Sequence, residues 1–149
     1  MSAPRRFDFL DHTADLQVRL VAESSTALFE LGAEVLFQLL CDRPASDFAA
    51  VEVEISQMSL QAPDLPELFA RWLEELVFLL DARGLAPLSV EVTLEEGVSL
   101  RASLSCATLE ALRRAGSELQ RVPKAVTRHK LRFEPASQGE WVAEVVFDV

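Results

Sequence analysis

Apolar and polar positions alternate along this chain with two different periods. From Leu16 to Ala22 the period is two: Leu16, Val18 and Leu20 share one side, and Gln17, Arg19 and Val21 the other. That is the pattern of a half-buried strand. From Ser25 to Leu40 the period becomes helical, with Leu28, Leu31, Val35, Leu36 and Leu39 on one stripe. Ser24 and Ser25 offer an N-cap. Gly32 lies inside this helix, where glycine costs up to about 1 kcal/mol against alanine, so close packing is expected there. Asp42, Pro44 and Ser46 turn the chain into a loop.

Alternation returns at Ala49 to Ile55, with Val51, Val53 and Ile55 opposite Glu52 and Glu54, and predicts a strand continuing to Leu60. Pro63 breaks it. Asp64-Leu65-Pro66-Glu67 supplies a cap, a first-turn proline and a glutamate three residues after the cap. The helix that follows carries Leu68, Phe69, Trp72, Leu73, Leu76, Val77, Leu79 and Leu80. So wide an apolar face predicts the central buried helix, closed by Gly84 after Arg83. Two strands are expected over 87–95 and 98–104, joined by Glu95-Glu96-Gly97. In 108–120, Leu109, Leu112 and Leu119 suit a short helix, but Gly116 and Pro123 favour irregular structure. Residues 125–133 and 141–147 read as a final pair of strands, with a turn from Pro135 to Gly139.

Strands and helices do not alternate regularly, which disfavours a doubly wound parallel sheet. The expected architecture is α+β: one domain over 1–149, two main helices packed on a largely antiparallel or mixed sheet. Half of the 149 residues are hydrophobic, enough for a core. No apolar run reaches the roughly 18–20 residues of a membrane span. The first six residues, followed by Asp8 and Asp11, do not read as a signal peptide. Cys41 and Cys106 match no metal or redox spacing and are expected as packed or free thiols in a reducing cytoplasm. The formal net charge of −10 disfavours stable nucleic-acid binding by the chain alone. It favours a cationic partner, a metal ion or a basic protein face, and also serves solubility.

Candidate chemistry gathers at two ends. Asp11-His12-Thr13-Ala14-Asp15 places two carboxylates, an imidazole and a hydroxyl between strand-like segments. Val145-Val146-Phe147-Asp148-Val149 closes the sequence. A fold that joins these ends is expected, with Asp15, Asp148 and the carboxylate of Val149 as hard oxygen ligands for Ca²⁺, Mg²⁺ or Mn²⁺. The alternative is a capping Asp15 and a frayed end, opposed by Trp141, Val145 and Phe147 as anchors of the last strand. His12 suits a ligand, a general acid–base group or a packed histidine, and Asp11 a turn cap. No nucleophile elbow, P-loop, dinucleotide fingerprint or zinc spacing is present. Lys124-Ala125-Val126-Thr127-Arg128-His129-Lys130 is the one basic concentration. Strand alternation would set Lys124, Val126, Arg128 and Lys130 on one face, as a phosphate or acidic-partner stripe or as a protected edge.

Taken together, Asp11-His12-Thr13-Ala14-Asp15, the helix from Trp72 to Asp81, Lys124-Ala125-Val126-Thr127-Arg128-His129 and the ending Val146-Phe147-Asp148-Val149 resemble the archease family over essentially the whole chain. The resemblance implies a non-catalytic partner of the GTP- and metal-dependent RNA ligase of tRNA splicing and RNA repair, promoting ligase guanylylation and multiple turnover. It implies a metal site at Asp15, Asp148 and Val149, a role for Lys124 in working with the ligase, and Asp11 and His12 in the same activating region. Two departures stand out. The Gly-Glu and later Asp and His usual before K-A-V-T are not recognisable in 105–117, and Arg128 stands where tyrosine is common. Two other functions remain open: a general chaperone, and a metal-dependent phosphohydrolase using Asp11, His12 and Asp15.

Overall fold

The computed structural model describes residues 5–10, 15–96, 98–120 and 122–149. In chain order the elements are β1 (Arg6–Phe9), β2 (Asp15–Ala22), α1 (Ser25–Leu40), β3 (Glu54–Gln61), α2 (Leu65–Arg83), β4 (Leu85–Glu95), β5 (Ser99–Thr108), α3 (Leu109–Arg114), β6 (Ala125–Pro135) and β7 (Trp141–Asp148). The strands form two sheets, ordered β1-β2-β7-β6 and β3-β5-β4, in which every pairing is antiparallel. The fold is α+β, as the mixed periodicity predicts.

Local chemistry sets both helix starts. The Ser24 hydroxyl accepts from the Ala27 N–H at 3.1 Å, and the Asp64 carboxylate accepts from the Glu67 N–H at 2.9 Å. Each satisfies one of the donors that a helix leaves orphaned in its first turn. Gly84 ends α2 at φ +62°, a left-handed conformation that glycine adopts without a Cβ penalty. The helices meet where Gly32 removes a side chain: a Cβ there would lie 3.0 Å from Leu73 Cδ2 and 3.2 Å from Phe69 Cε1. The buried Trp72 indole crosses the same seam and donates to the Phe29 carbonyl at 2.8 Å. Phe29, Phe69 and Phe133 pack against one another edge-on or tilted, with ring centroids 5.2–5.4 Å apart. The core therefore lies where α1 and α2 pack together against the inner faces of both sheets.

Several elements differ from the expectation. The more enclosed helix is α1, not α2: Glu34 and Gln38 are its only exposed residues, whereas α2 exposes Arg71, Glu74, Glu75, Phe78 and its last turn. The apolar residues of α1 that fall outside its main stripe, such as Phe29, Ala33 and Phe37, are buried as well. The strand expected from Ala49 begins only at Glu54, and Val53 and Ile55 are exposed. As an outermost strand paired only with β5, β3 turns Ser56, Met58 and Leu60 inward, the opposite parity to Val51, Val53 and Ile55. Residues 109–114 do form a helix, capped by the Thr108 hydroxyl accepting from Ala111 N–H at 3.0 Å, before Gly116 turns at φ +95°. In the β4–β5 turn, Gly97 lies outside the described residues.

The basic stripe along β6 does not form. Between Thr127 and Arg132 β6 advances five residues while β7 advances two, so a bulge interrupts the alternation. Lys130 sits inside it at φ +58°. Val126 and Phe133 both turn inward, which strict alternation forbids. Cys41 and Cys106 are buried free thiols. Among the described residues no helix is long and apolar enough to cross a membrane.

Candidate functional site

The register of β2 on β7 decides the geometry. Their pairing runs from Ala22 opposite Trp141 to Asp15 opposite Asp148. Leu16, Val18 and Leu20 fall on the same face as Phe147, Val145 and Ala143, and this face joins the core. The alternate positions form the outer face: Asp15 with Asp148, Gln17 with Val146, and Arg19 with Glu144. Burial of Phe147 and Val145 fixes this register, because a one-residue slip would turn both outward. The last strand is thus anchored, and Val149 packs against the main core.

On its other side β7 pairs with β6, with Ala125 opposite Asp148. The Lys124 N–H donates to the Asp148 carbonyl at 2.7 Å. Asp15, Asp148 and Lys124 therefore meet at one end of the four-stranded sheet, and all three are exposed. Directly opposed residues of an antiparallel pair hold their Cβ atoms roughly 4.5–5.5 Å apart. Asp11 and His12 lie outside the described residues.

Two kinds of carboxylate share this outer face. Glu144 is surrounded by donors: Arg19 at 2.9 Å, Gln17 at 3.3 Å and Arg132 at 3.3 Å. Among the described residues, Asp15 and Asp148 have no ion-pair partner and oppose each other. Like charges directly across a ladder destabilise it, so this end of the sheet favours a cation. The donors are hard oxygens, suited to Ca²⁺, Mg²⁺ or Mn²⁺. No group of three or more His, Cys, Asp and Glu side chains forms a metal site among the described residues. Two carboxylates alone would leave most of such a cation's coordination shell unfilled. Sequence reasoning did not single out Glu144, although its place on the polar alternation of β7 marks it.

Arg128 bonds across to α2 instead of joining Lys124. Its guanidinium meets Glu67 at 2.7 Å and Glu74 at 2.7 Å, while Arg71 also reaches Glu67 at 3.0 Å. Donation to the Glu74 and Glu67 carboxylates raises the Arg128 pKa. The Arg128 bond, more than that of Arg71, holds the Glu67 carboxyl down at about 2. This depressed pKa means the pair stabilises the fold above the ordinary carboxyl value of 4.5 and loses that effect as pH falls through about 2. Arg128→Ala should therefore be less stable than the parent at neutral pH, by no more than about 1 kcal/mol because the side chains are solvent-exposed. Urea denaturation should show the gap narrowing between pH 4.5 and about 2. A gap that persists unchanged below that range would contradict this role.

The segment lacking the expected acidic and histidine positions has a packing role. Leu112 is buried beside Phe37 and Leu40. Cys41 Sγ and Ser117 Oγ lie 2.7 Å apart, and Ser117 reaches Asp42 at 3.4 Å. Leu119 bridges to Cys41, so the segment closes over the end of α1.

Comparison with known proteins identifies relatives of the chain as a whole. Residues 7–149 match the model of the archease protein family (MTH1598/TM1083). The chain is 32% identical over 144 residues to the protein archease of Archaeoglobus fulgidus, covering 97% of this chain and 99% of that one. It is 34% identical over 149 residues to protein archease of Thermococcus gammatolerans, with the same coverage of 97% and 99%. The solution structure of Methanobacterium thermoautotrophicum protein 1598 superposes with a TM-score of 0.71 at 25% identity, covering 96% of this chain and 98% of that one. The crystal structure of a Thermotoga maritima archease, described as a possible chaperone, shares the fold with a TM-score of 0.63 at 20% identity over 94% of each chain.

Proposed function

The chain belongs to the archease family, and on that basis we propose that it is a non-catalytic, metal-binding partner of a GTP-dependent RNA ligase, promoting guanylylation and multiple turnover of that enzyme. The observation that carries this reading is the pairing of Asp15 with Asp148, without an ion-pair partner among the described residues, beside Lys124. A divalent cation supplies positive charge that offsets phosphate charge during nucleotidyl transfer. Asp15 and Asp148 hold it from one side, with main-chain oxygens of Val149 alongside. A shell this incomplete suits a metal whose remaining ligands are waters, phosphates or partner groups. Lys124, whose main chain is tied to Asp148, offers an ammonium to a phosphate or an acidic partner surface. Asp11 and His12, close in sequence to Asp15, belong to the same proposed activating region. The process served is cytoplasmic RNA repair or tRNA splicing, with the ligase making the RNA contacts that the net charge of −10 disfavours here.

A chaperone that holds unfolded chains needs a contiguous apolar surface. Among the described residues the exposed large apolar side chains are Leu10, Val53, Ile55 and Phe78, of which just Val53 and Ile55 neighbour each other in sequence. The ligase-partner reading is therefore favoured.

Calorimetry with Ca²⁺ should show Asp15→Ala weakening binding by about tenfold or more, the loss of one of two charged ligands. Lys124→Ala should keep the parent affinity for Ca²⁺ yet lose stimulation of ligase guanylylation. Equal metal affinity in Asp15→Ala and the parent would remove the metal assignment. Full stimulation by Lys124→Ala would remove the partner role of that lysine.

A further inference from the structure

A cleft of about 380 Å³ opens between β1 and β4, with α1 beneath it. Among the described residues both strands are outermost in their sheets, β1 pairing with β2 and β4 with β5. An outermost strand leaves a row of main-chain N–H and C=O groups without ladder partners. The two edges differ. Pro87 has no N–H, and the β4 register skips Leu88 between Pro87 opposite Cys106 and Ser89 opposite Ser105. That proline and bulge blunt the β4 edge and leave β1 as the better template for an added strand.

The lining combines apolar and acidic groups. Phe7, Leu88 and Val90 line it and are partly buried, with the buried Phe37 of α1 beside them. Glu30 and Glu34, one turn apart on α1, bring two carboxylates to the same cleft. Arg5, the lining cation, is already held by Glu23 at 3.0 Å and by Glu30 at 3.2 Å. Glu34 makes no ion pair among the described residues. Its pKa is raised by desolvation and by Glu30, against the pull of Arg5, a cost that a cation at the carboxylate would offset.

We propose that this cleft docks an extended, lysine- or arginine-bearing segment of a partner protein, its main chain adding to the edge of β1 and its cation meeting Glu34. Strand addition draws affinity from main-chain bonds and specificity from alternate side chains. The long stem of a lysine or arginine would cover Phe7 and Leu88 while its charge reaches the cleft mouth. This surface is separate from the Asp15 end of the sheet. Phe7, the cleft residue of β1, pairs with Leu20, five residues along β2 from Asp15, about 17 Å at about 3.4 Å per residue.

The test is an NMR titration of the isotope-labelled full chain with an acetylated, amidated heptapeptide of alternating valine and lysine. Shifts should concentrate on the amides of Phe7, Glu34, Leu88 and Val90. Glu34→Gln, nearly isosteric, should weaken binding about fivefold, the scale of one exposed ion pair. Leu88→Lys should weaken it further, with the amide spectrum confirming that the fold is retained. A valine–glutamate heptapeptide should not bind. Shifts scattered over the acidic surface, binding unchanged in Glu34→Gln, or full displacement by equimolar spermidine would overturn the proposal.

Discussion

Asp148→Ala should lose most of the stimulation of RNA-ligase guanylylation, a rate effect on the order of tenfold or more. The substitution leaves Asp15 as the one carboxylate side chain of the pair, too few charges to hold a hard cation firmly. The fold should survive, because Asp148 is exposed at a strand end and its loss opens no core cavity. Stability gives an independent signature. Relieving two opposed carboxylates should leave the metal-free variant as stable as the parent or more so, by about 0.2–1 kcal/mol. Saturating Ca²⁺ should then stabilise the parent more than the variant, by about 1.4 kcal/mol for each tenfold loss of affinity. Thermal melts with and without Ca²⁺ read this directly. A variant that stimulates the ligase as well as the parent, or gains equal stability from Ca²⁺, contradicts the site.

The largest stability effect should come from Trp72→Ala. Trp72 is fully buried, donates to the Phe29 carbonyl at 2.8 Å and packs edge-on to the Phe29 ring at 6.5 Å. Removing it should cost about 3–5 kcal/mol in urea denaturation, a large share of the stability of an ordinary domain. Trp72→Phe should cost less, because it keeps most of the ring volume and loses chiefly one buried hydrogen bond, worth about 1 kcal/mol. A Trp72→Ala variant within 1 kcal/mol of the parent would mean that the α1–α2 seam is not the centre of the fold.

Much of this architecture is legible in the chain because its local signals agree. Ser24 and Asp64 cap the helices that follow them, Gly84 ends α2, and Gly32 marks a close helix contact. Each of these depends on a few neighbouring residues. The misread elements depend on partners distant in sequence. Val53 and Ile55 alternate as a strand should, yet no helix or strand covers them, so their parity carries no burial. Along β6 the bulge at 127–132 changes the faces, and a register against β7 is not encoded in β6 alone. Arg128 reads as part of a basic patch until Glu67 and Glu74, more than fifty residues away, are brought beside it.

The candidate site follows the same division. The expectation that both ends of the chain converge is met by Asp15 opposite Asp148, since the apolar alternation of both strands fixes which face each residue takes. That Glu144 is well bonded, while that pair has no ion-pair partner among the described residues, required three dimensions: Arg19 is on β2 and Arg132 on β6. The cleft between β1 and β4 is equally invisible in sequence, because it lies between two different sheets.

The most direct measurement is guanylylation of the RNA ligase from the same organism, with GTP and a divalent metal, in the presence of substoichiometric amounts of this chain. The rate of labelled ligase formation should rise and ligation should turn over repeatedly, with no ligation or phosphoester hydrolysis by the chain alone. Ligase kinetics unchanged by its addition, or phosphoester turnover by the isolated chain, would contradict the ligase-partner reading.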